Sequence, residues 1–188
     1  MKRTMGTDTR STLGTLGLVV VLLLGFALLP RVFASRRPGS VGKDAPEFDL
    51  PVVANAAVLG GGKAEGANLR LSELRGSAVL LDFWATWCGP CRAEAPIVDA
   101  VSRRWRDKGL VVVGVNTDTA DQGNPHDYAL AHGLTYPIVH DEEGEASRVF
   151  AVDSLPTLVV LSRTGKVTAI RSGITDEDEL ERLVRQAL

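Results

Sequence analysis

The sequence predicts an α/β domain behind an apolar N-terminal segment. Three observations carry this. The short runs Ala78-Val-Leu-Leu81, Leu110-Val-Val-Val-Gly-Val115 and Leu158-Val-Val-Leu161 have the composition of buried strands. Stretches with helical spacing of apolar residues separate them. The two cysteines of the chain, Cys88 and Cys91, are separated by Gly89-Pro90 and stand where the first run gives way to a helix-compatible stretch.

The elements follow in order. From Ser11 to Pro30 there is no charge, and the seventeen residues Leu13–Leu29 are apolar all round rather than on one face. That length is short for a spanning helix but long for a signal-peptide core. Residues 11–34 are read as a transmembrane anchor. A cleaved signal peptide is the alternative, because Val32-Phe-Ala34 is similar to a signal-peptidase site. No Cys follows the run, which excludes a lipoprotein anchor. Basic residues flank both ends, so the positive-inside rule barely orients it. Residues 1–10 form a basic N-terminus, 35–43 a basic linker with Pro38 and Gly39, and 44–188 the domain.

Phe48 and Leu50 alternate as in a half-buried strand, Gly60-Gly-Gly62 marks a turn, and Leu69-Arg-Leu71 reads as the return strand of a hairpin. Leu71–Leu74 begins a helical turn that Gly76 ends. The strand at Ala78–Leu81 follows, then a helix from Arg92 to about Asp107 with a kink expected at Pro96. Ile97, Val101 and Trp105 give that helix one apolar face; Arg103 and Arg106 point away and Arg104 lies at its edge, the pattern of a solvated helix side. After the run at Leu110–Val115, residues 116–124 are loop. Pro125–His132 is a short helix ended by Gly133, and Tyr136–Val139 is extended. An acidic turn at Asp141–Gly144 precedes one or two helical turns over Ala146–Phe150. The strand Leu158–Leu161 pairs through the turn Thr164-Gly165 with Lys166–Arg171. Thr175 can cap a last helix, with Asp176, Glu177, Asp178 and Glu179 in its first turn and Arg182 and Arg185 towards its end, as the helix dipole favours.

Charge is uneven along the chain. Residues 1–43 hold seven Lys/Arg and one Asp, leaving a net charge of −8 for residues 44–188. An acidic domain disfavours nonspecific nucleic-acid binding. With both cysteines in one motif, no odd thiol is left over, which fits an exported protein. A zinc site commonly needs four ligands, and His126, His132 and His140 lie far from the single Cys pair at irregular spacings. A purely structural bridge is a poor reading too, because so short a loop removes little unfolded-state entropy. A redox-active dithiol remains. At a helix N-terminus, unpaired N–H groups and the dipole favour the Cys88 thiolate, and Cys91 lies one turn on.

The run Phe83-Trp84-Ala85-Thr86-Trp87-Cys88-Gly89-Pro90-Cys91-Arg92-Ala93-Glu94 resembles the thioredoxin superfamily, and more narrowly its membrane-anchored extracytoplasmic branch of TlpA, ResA and CcmG/DsbE proteins. The likeness extends from about residue 41 to the end. It implies a thioredoxin-like fold with an added N-terminal β-hairpin, behind one transmembrane helix. It also implies a thiol–disulfide oxidoreductase that reduces protein disulfides, with Cys88 as nucleophile and Cys91 as resolving thiol. Pro156 matches the superfamily's cis-proline, with Leu155 and Thr157 beside it and Trp87, Gly89 and Pro90 completing the substrate-binding set. Asp82 matches the buried acid of thioredoxin, where the TlpA-like branch often has Asn, and Glu94 matches the active-site glutamate of ResA-like proteins. Trp84 reads as packing.

By the same resemblance, the protein is expected to take electrons from a membrane thiol–disulfide transporter and to serve cytochrome c maturation in the periplasm or an equivalent space. It is expected to act as a monomer, with no cofactor beyond the Cys88–Cys91 pair and no metal. Two alternatives stay open: a DsbA-like oxidase, which compartment alone would suggest, and a copper-binding or delivery module. A peroxidase reading fails on its pattern P-x-x-x-T-x-x-C, since Leu81 and Ala85 stand in the Pro and Thr positions before Cys88.

Overall fold

A computed structural model describes residues 39–188. The segment 11–34, read as an anchor, lies outside the described residues. Among those described, no helix is long and apolar enough to cross a membrane.

Seven strands form one mixed sheet: β1 (Asp49–Ala54), β2 (Asn68–Arg70), β3 (Ala78–Trp84), β4 (Leu110–Asn116), β5 (Ile138–His140), β6 (Thr157–Leu161) and β7 (Val167–Ser172). Their order is β2-β1-β5-β4-β3-β6-β7. The centre, β5-β4-β3, is parallel, and the strands on either side run antiparallel. Four helices cover it: α1 (Gly89–Trp105), α2 (Pro125–Ala131), α3 (Glu145–Val149) and α4 (Glu177–Ala187). Such a sheet needs apolar cover on both faces, which is why its central strands read as continuous apolar runs.

Side chains alternate across the sheet with period two. Along β3, Leu80 and Trp84 join Val98, Val101 and Trp105 of α1 and Leu180, Leu183 and Val184 of α4 in one core. Val79, Leu81 and Phe83 face the other way, against Phe48, Leu50, Val52 and Leu69 of the hairpin region and Ala146 and Phe150 around α3. The predicted hairpin is present as β1 and β2, paired antiparallel from Asp49↔Arg70 to Pro51↔Asn68, and it extends the sheet beyond β5. The fold is thioredoxin-like, with this hairpin added.

Several boundaries differ from the sequence reading. Helix α1 begins at Gly89 rather than Arg92, because Cys88 itself is the cap and Pro90 suits the first turn, where no N–H is needed. It continues through Pro96. Its buried face is Val98, Val101 and Trp105, with Ile97 half-buried at the edge. Arg104 leaves that edge to pair with Glu177 at 2.8 Å and with Glu181, tying α1 to α4. The last helix is capped by Asp176, whose side chain accepts from the Glu179 N–H, and not by Thr175. Residues 42–45, which include the end of the expected linker, carry main-chain hydrogen bonds into the β7 hairpin: Gly42 N–H to Val167 O and Ala45 N–H to Gly165 O, both 2.8 Å.

Candidate active site

The site is assembled where β3 ends. Its last turn of chain leads through Ala85, Thr86 and Trp87 into α1, so both cysteines fall on the first turn of the helix. They form a disulfide, with Cα atoms 5.3 Å apart. The Cys91 backbone N–H, one of the unpaired donors of a helix start, points at Cys88 Sγ from 3.2 Å. That donor and the helix dipole favour negative charge on Cys88. Exposure does not separate the two thiols in this oxidised state: Cys88 is 4% exposed and Cys91 5%. Trp87, beside them, is 60% exposed.

Leu155 and Pro156 lie just before β6, and their peptide bond is cis. Pro156 is buried, and its carbonyl accepts from Gly173 N–H at 2.9 Å. Leu155 packs against the cluster that holds Cys88 and Cys91. Thr157 opens β6 opposite Phe83, and its hydroxyl donates to Ser154 O at 2.8 Å. The strand pairing of β6 with β3 thus brings the Leu155–Thr157 segment to the end of the sheet that carries the dithiol.

The two acids are buried and act on each other electrostatically. Asp82 shares the face of Leu80 and Trp84, so β3 turns it towards α1. Glu94 is one helical turn beyond Cys91, on the inward side of α1. Asp82 is 4% exposed and Glu94 1%. Burial pushes the Asp82 carboxyl up to about 7, the nearby Glu94 adds to the rise, and a hydrogen bond from the Tyr136 hydroxyl at 3.2 Å opposes it. Burial raises Glu94 as well, against a backbone hydrogen bond from Thr175 N–H to Oε1 at 2.7 Å. Its other oxygen, Oε2, is buried with no hydrogen-bond partner among the described residues.

Four residues of the site have roles that the sequence alone did not assign. Thr175 is one: expected as a helix cap, it instead holds Glu94 through its N–H. Tyr136 is another, read only as part of an extended stretch. Asp118, fully buried, accepts from Thr86 N–H at 3.0 Å and from Asn116 Nδ2 at 2.8 Å, so the loop after β4 braces the residue before Trp87. Gln122 of the same loop accepts from Trp87 Nε1 at 3.1 Å. An Asn at the end of a strand with an Asp two residues on does signal a side-chain-stabilised turn, but nothing local ties that turn to Thr86. Trp84 is packing, as read: it is buried against Tyr128, ring centroids 4.9 Å apart. Among the described residues no cluster of three metal-ligating side chains occurs.

The arrangement is a helix-terminal dithiol with buried carboxyls below and an open aromatic beside it. Comparison with known proteins agrees with it. Residues 41–170 match the AhpC/TSA family. ResA of Bacillus subtilis (strain 168), named a thiol-disulfide oxidoreductase, is 30% identical over 160 residues, covering 85% of this chain and 83% of its own. The protein of the same name from Geobacillus kaustophilus (strain HTA426) is 30% identical over 169 residues, covering 88% of each. Among solved structures, one described as a thiol:disulfide interchange protein DsbE from Chlorobium tepidum superposes with a TM-score of 0.68 at 31% identity, over 79% of this chain and 97% of that one. The chain therefore belongs to the AhpC/TSA family and stands within it among the ResA-like thiol–disulfide oxidoreductases.

Proposed function

We propose that the protein is a membrane-anchored reductase of protein disulfides, working outside the cytoplasm. The observation that carries this is the Cys88-Gly-Pro-Cys91 turn at the start of α1, above two buried acids whose pKa values burial has raised. In the reduced enzyme the Cys88 thiolate attacks one sulfur of a substrate disulfide. An S–S bond forms to Cys88 as the substrate's own S–S bond breaks, and the departing substrate sulfur takes up a proton. Cys91 then loses its proton to the buried acids and attacks Cys88 Sγ. The second substrate sulfur leaves and is protonated in turn. Two electrons and two protons have passed to the substrate, and Cys88–Cys91 is oxidised.

The acids suit the second step. A carboxyl near 7 can take a proton from a shielded thiol and give it up again at ambient pH. The Leu155 main chain, beside the dithiol and without a hydrogen-bond partner among the described residues, offers a docking edge for an extended substrate segment. The Gly-Pro dipeptide favours the reducing direction by its resemblance to thioredoxin. A membrane thiol–disulfide transporter would return electrons to the pair, and cytochrome c maturation is the process to which the resemblance assigns such a protein. The copper-binding alternative has less support, since His126, His132 and His140 lie far along the chain from the cysteine pair; a copper titration of the reduced protein discriminates the two.

Two outcomes test the proposal. Cys91→Ala leaves the first attack intact and removes the second, so mixed disulfides should accumulate on Cys88 and identify the substrate by mass spectrometry. Recovery of adducts with the host's exported thiol proteins is expected; a variant that traps no protein under conditions where wild type turns over would contradict the reading. A reporter fused after Leu188 should be active only outside the cytoplasm. Activity confined to the cytoplasm would overturn the placement, and a mature chain starting at Ser35 would show that the anchor is instead a cleaved signal.

A further inference from the structure

Tyr136 reaches Asp82 by an unusual route. It precedes β5, and β4 lies between β5 and β3 in the sheet. Its ring must cross β4 to touch a side chain on β3. The crossing is made at Gly114, which stands opposite Asp82 in the parallel β3–β4 pairing. A Cβ there would lie 3.0 Å from Tyr136 Cε2, 3.0 Å from Trp84 Nε1 and 2.6 Å from Ile138 Cδ1. These separations are well inside ordinary carbon contact. The bare backbone of Gly114 is what leaves room for the ring. At the far end of the crossing, the Tyr136 hydroxyl donates to Asp82 Oδ2 at 3.2 Å.

The segment that carries the ring is held from two sides. Asn55, just after β1, donates from Nδ2 to Leu134 O at 2.9 Å and to Tyr136 O at 3.0 Å. Asp99 of α1 accepts from both the Thr135 N–H at 2.8 Å and the Thr135 hydroxyl at 2.7 Å. These bonds fix the two residues before Tyr136, as well as its own carbonyl. The ring is buried along its length.

We propose that Tyr136 is a positioning residue for Asp82: its hydroxyl, delivered across β4 through the gap at Gly114, fixes the carboxylate and keeps it able to take a proton at ambient pH. The proposal rests on the reading of Asp82 as proton acceptor for Cys91. The titratable groups acting on the pair are Glu94 and Asp99, both from α1 and both acidic. Asp99 acts on the Tyr136 phenol; burial and Glu94 favour the protonated form of Asp82, and the phenol donor is what opposes them. Without it the carboxyl would hold its proton through neutral pH and fail as a base.

The test follows the Asp82 carboxyl itself, by carbon NMR of the oxidised full chain in detergent, with Asp82→Asn to assign the signal. Tyr136→Phe should raise the carboxyl midpoint by about one unit. Because that variant removes a buried group, a second measurement keeps the shape of the side chain. With Tyr128→Phe leaving Tyr136 as the one tyrosine, incorporation of 3-fluorotyrosine gives a more acidic, stronger donor, and the midpoint should fall. A midpoint unmoved by either change would overturn the proposal, as would a fall with Tyr136→Phe. In the reduced enzyme the pH profile of disulfide exchange should rise with Tyr136→Phe, and the same substitution should change nothing further in Asp82→Asn. A shifted carboxyl with an unshifted exchange profile would uphold the positioning role and sink the role of Asp82 as base.

Discussion

Cys88→Ser is expected to leave no measurable thiol–disulfide exchange, while Cys91→Ser should retain a single attack and stall as a mixed disulfide. The asymmetry follows from position on α1. Cys88 is the N-cap, with a helix-start N–H aimed at its sulfur, and Cys91 sits inside the first turn above Glu94. A thiolate at the cap gains from that donor and from the dipole. The sulfur inside the turn stands one helical turn before the buried Glu94, whose carboxylate form disfavours a second negative charge. In the reduced wild type, alkylation at pH 7 should therefore modify Cys88 first, by several-fold in rate, since the larger thiolate fraction is partly offset by the lower nucleophilicity of a more acidic thiol. The two cysteines are buried alike when oxidised, so electrostatics rather than access carries this expectation. Equal alkylation rates, read by peptide mapping, would contradict it.

Asp82→Asn should stabilise the fold at pH 8 by about 2–4 kcal/mol and by little at pH 4. The sign follows from the direction of the shift. The folded carboxyl titrates near 7, above its ordinary value of 3.8, so the folded state binds the proton more tightly than the unfolded state does. As pH rises from the ordinary carboxylate range towards 7, the unfolded chain loses this proton first. Wild type is destabilised through that window, and the cost levels off above it. Asparagine never ionises, and its amide oxygen can still accept from Tyr136. Urea denaturation of both forms at the two pH values measures the difference; a gap that does not grow with pH would contradict the buried charge. The same substitution should slow resolution of the mixed disulfide, the pattern of a group retained for chemistry at a cost in stability.

Much of this site was legible in the sequence because its signals are local. The apolar runs at β3, β4 and β6 have a composition that only a doubly covered sheet explains, and the Cys-Gly-Pro-Cys spacing places both thiols on one helical turn. The hairpin of β1 and β2 was visible through Phe48, Leu50 and the three glycines at 60–62. What was missed depends on residues distant in the chain. The start of α1 was set too late because its cap is a cysteine, outside the Ser, Thr, Asp and Asn that signal a helix start. Val98 rather than Ile97 faces the core, a turn of the helix that only packing against α4 decides. Thr175 has the chemistry of a cap, yet its N–H serves Glu94 while Asp176 caps α4. Tyr136 looked like one more apolar position in an extended stretch; its contact with Asp82 exists because Gly114 opens the strand between them.

The central claim is that the reduced dithiol gives electrons away, so its disulfide must be the favoured state. Equilibration of the full chain in glutathione buffers of known ratio, with the redox state of Cys88 and Cys91 read by alkylation and mass, measures this directly. The expected potential is near that of thioredoxin, about −270 mV, with a displacement when Gly89-Pro90 is replaced, each 30 mV being equivalent to about 1.4 kcal/mol. A potential near that of DsbA, about −120 mV, would contradict it and make the protein an oxidant.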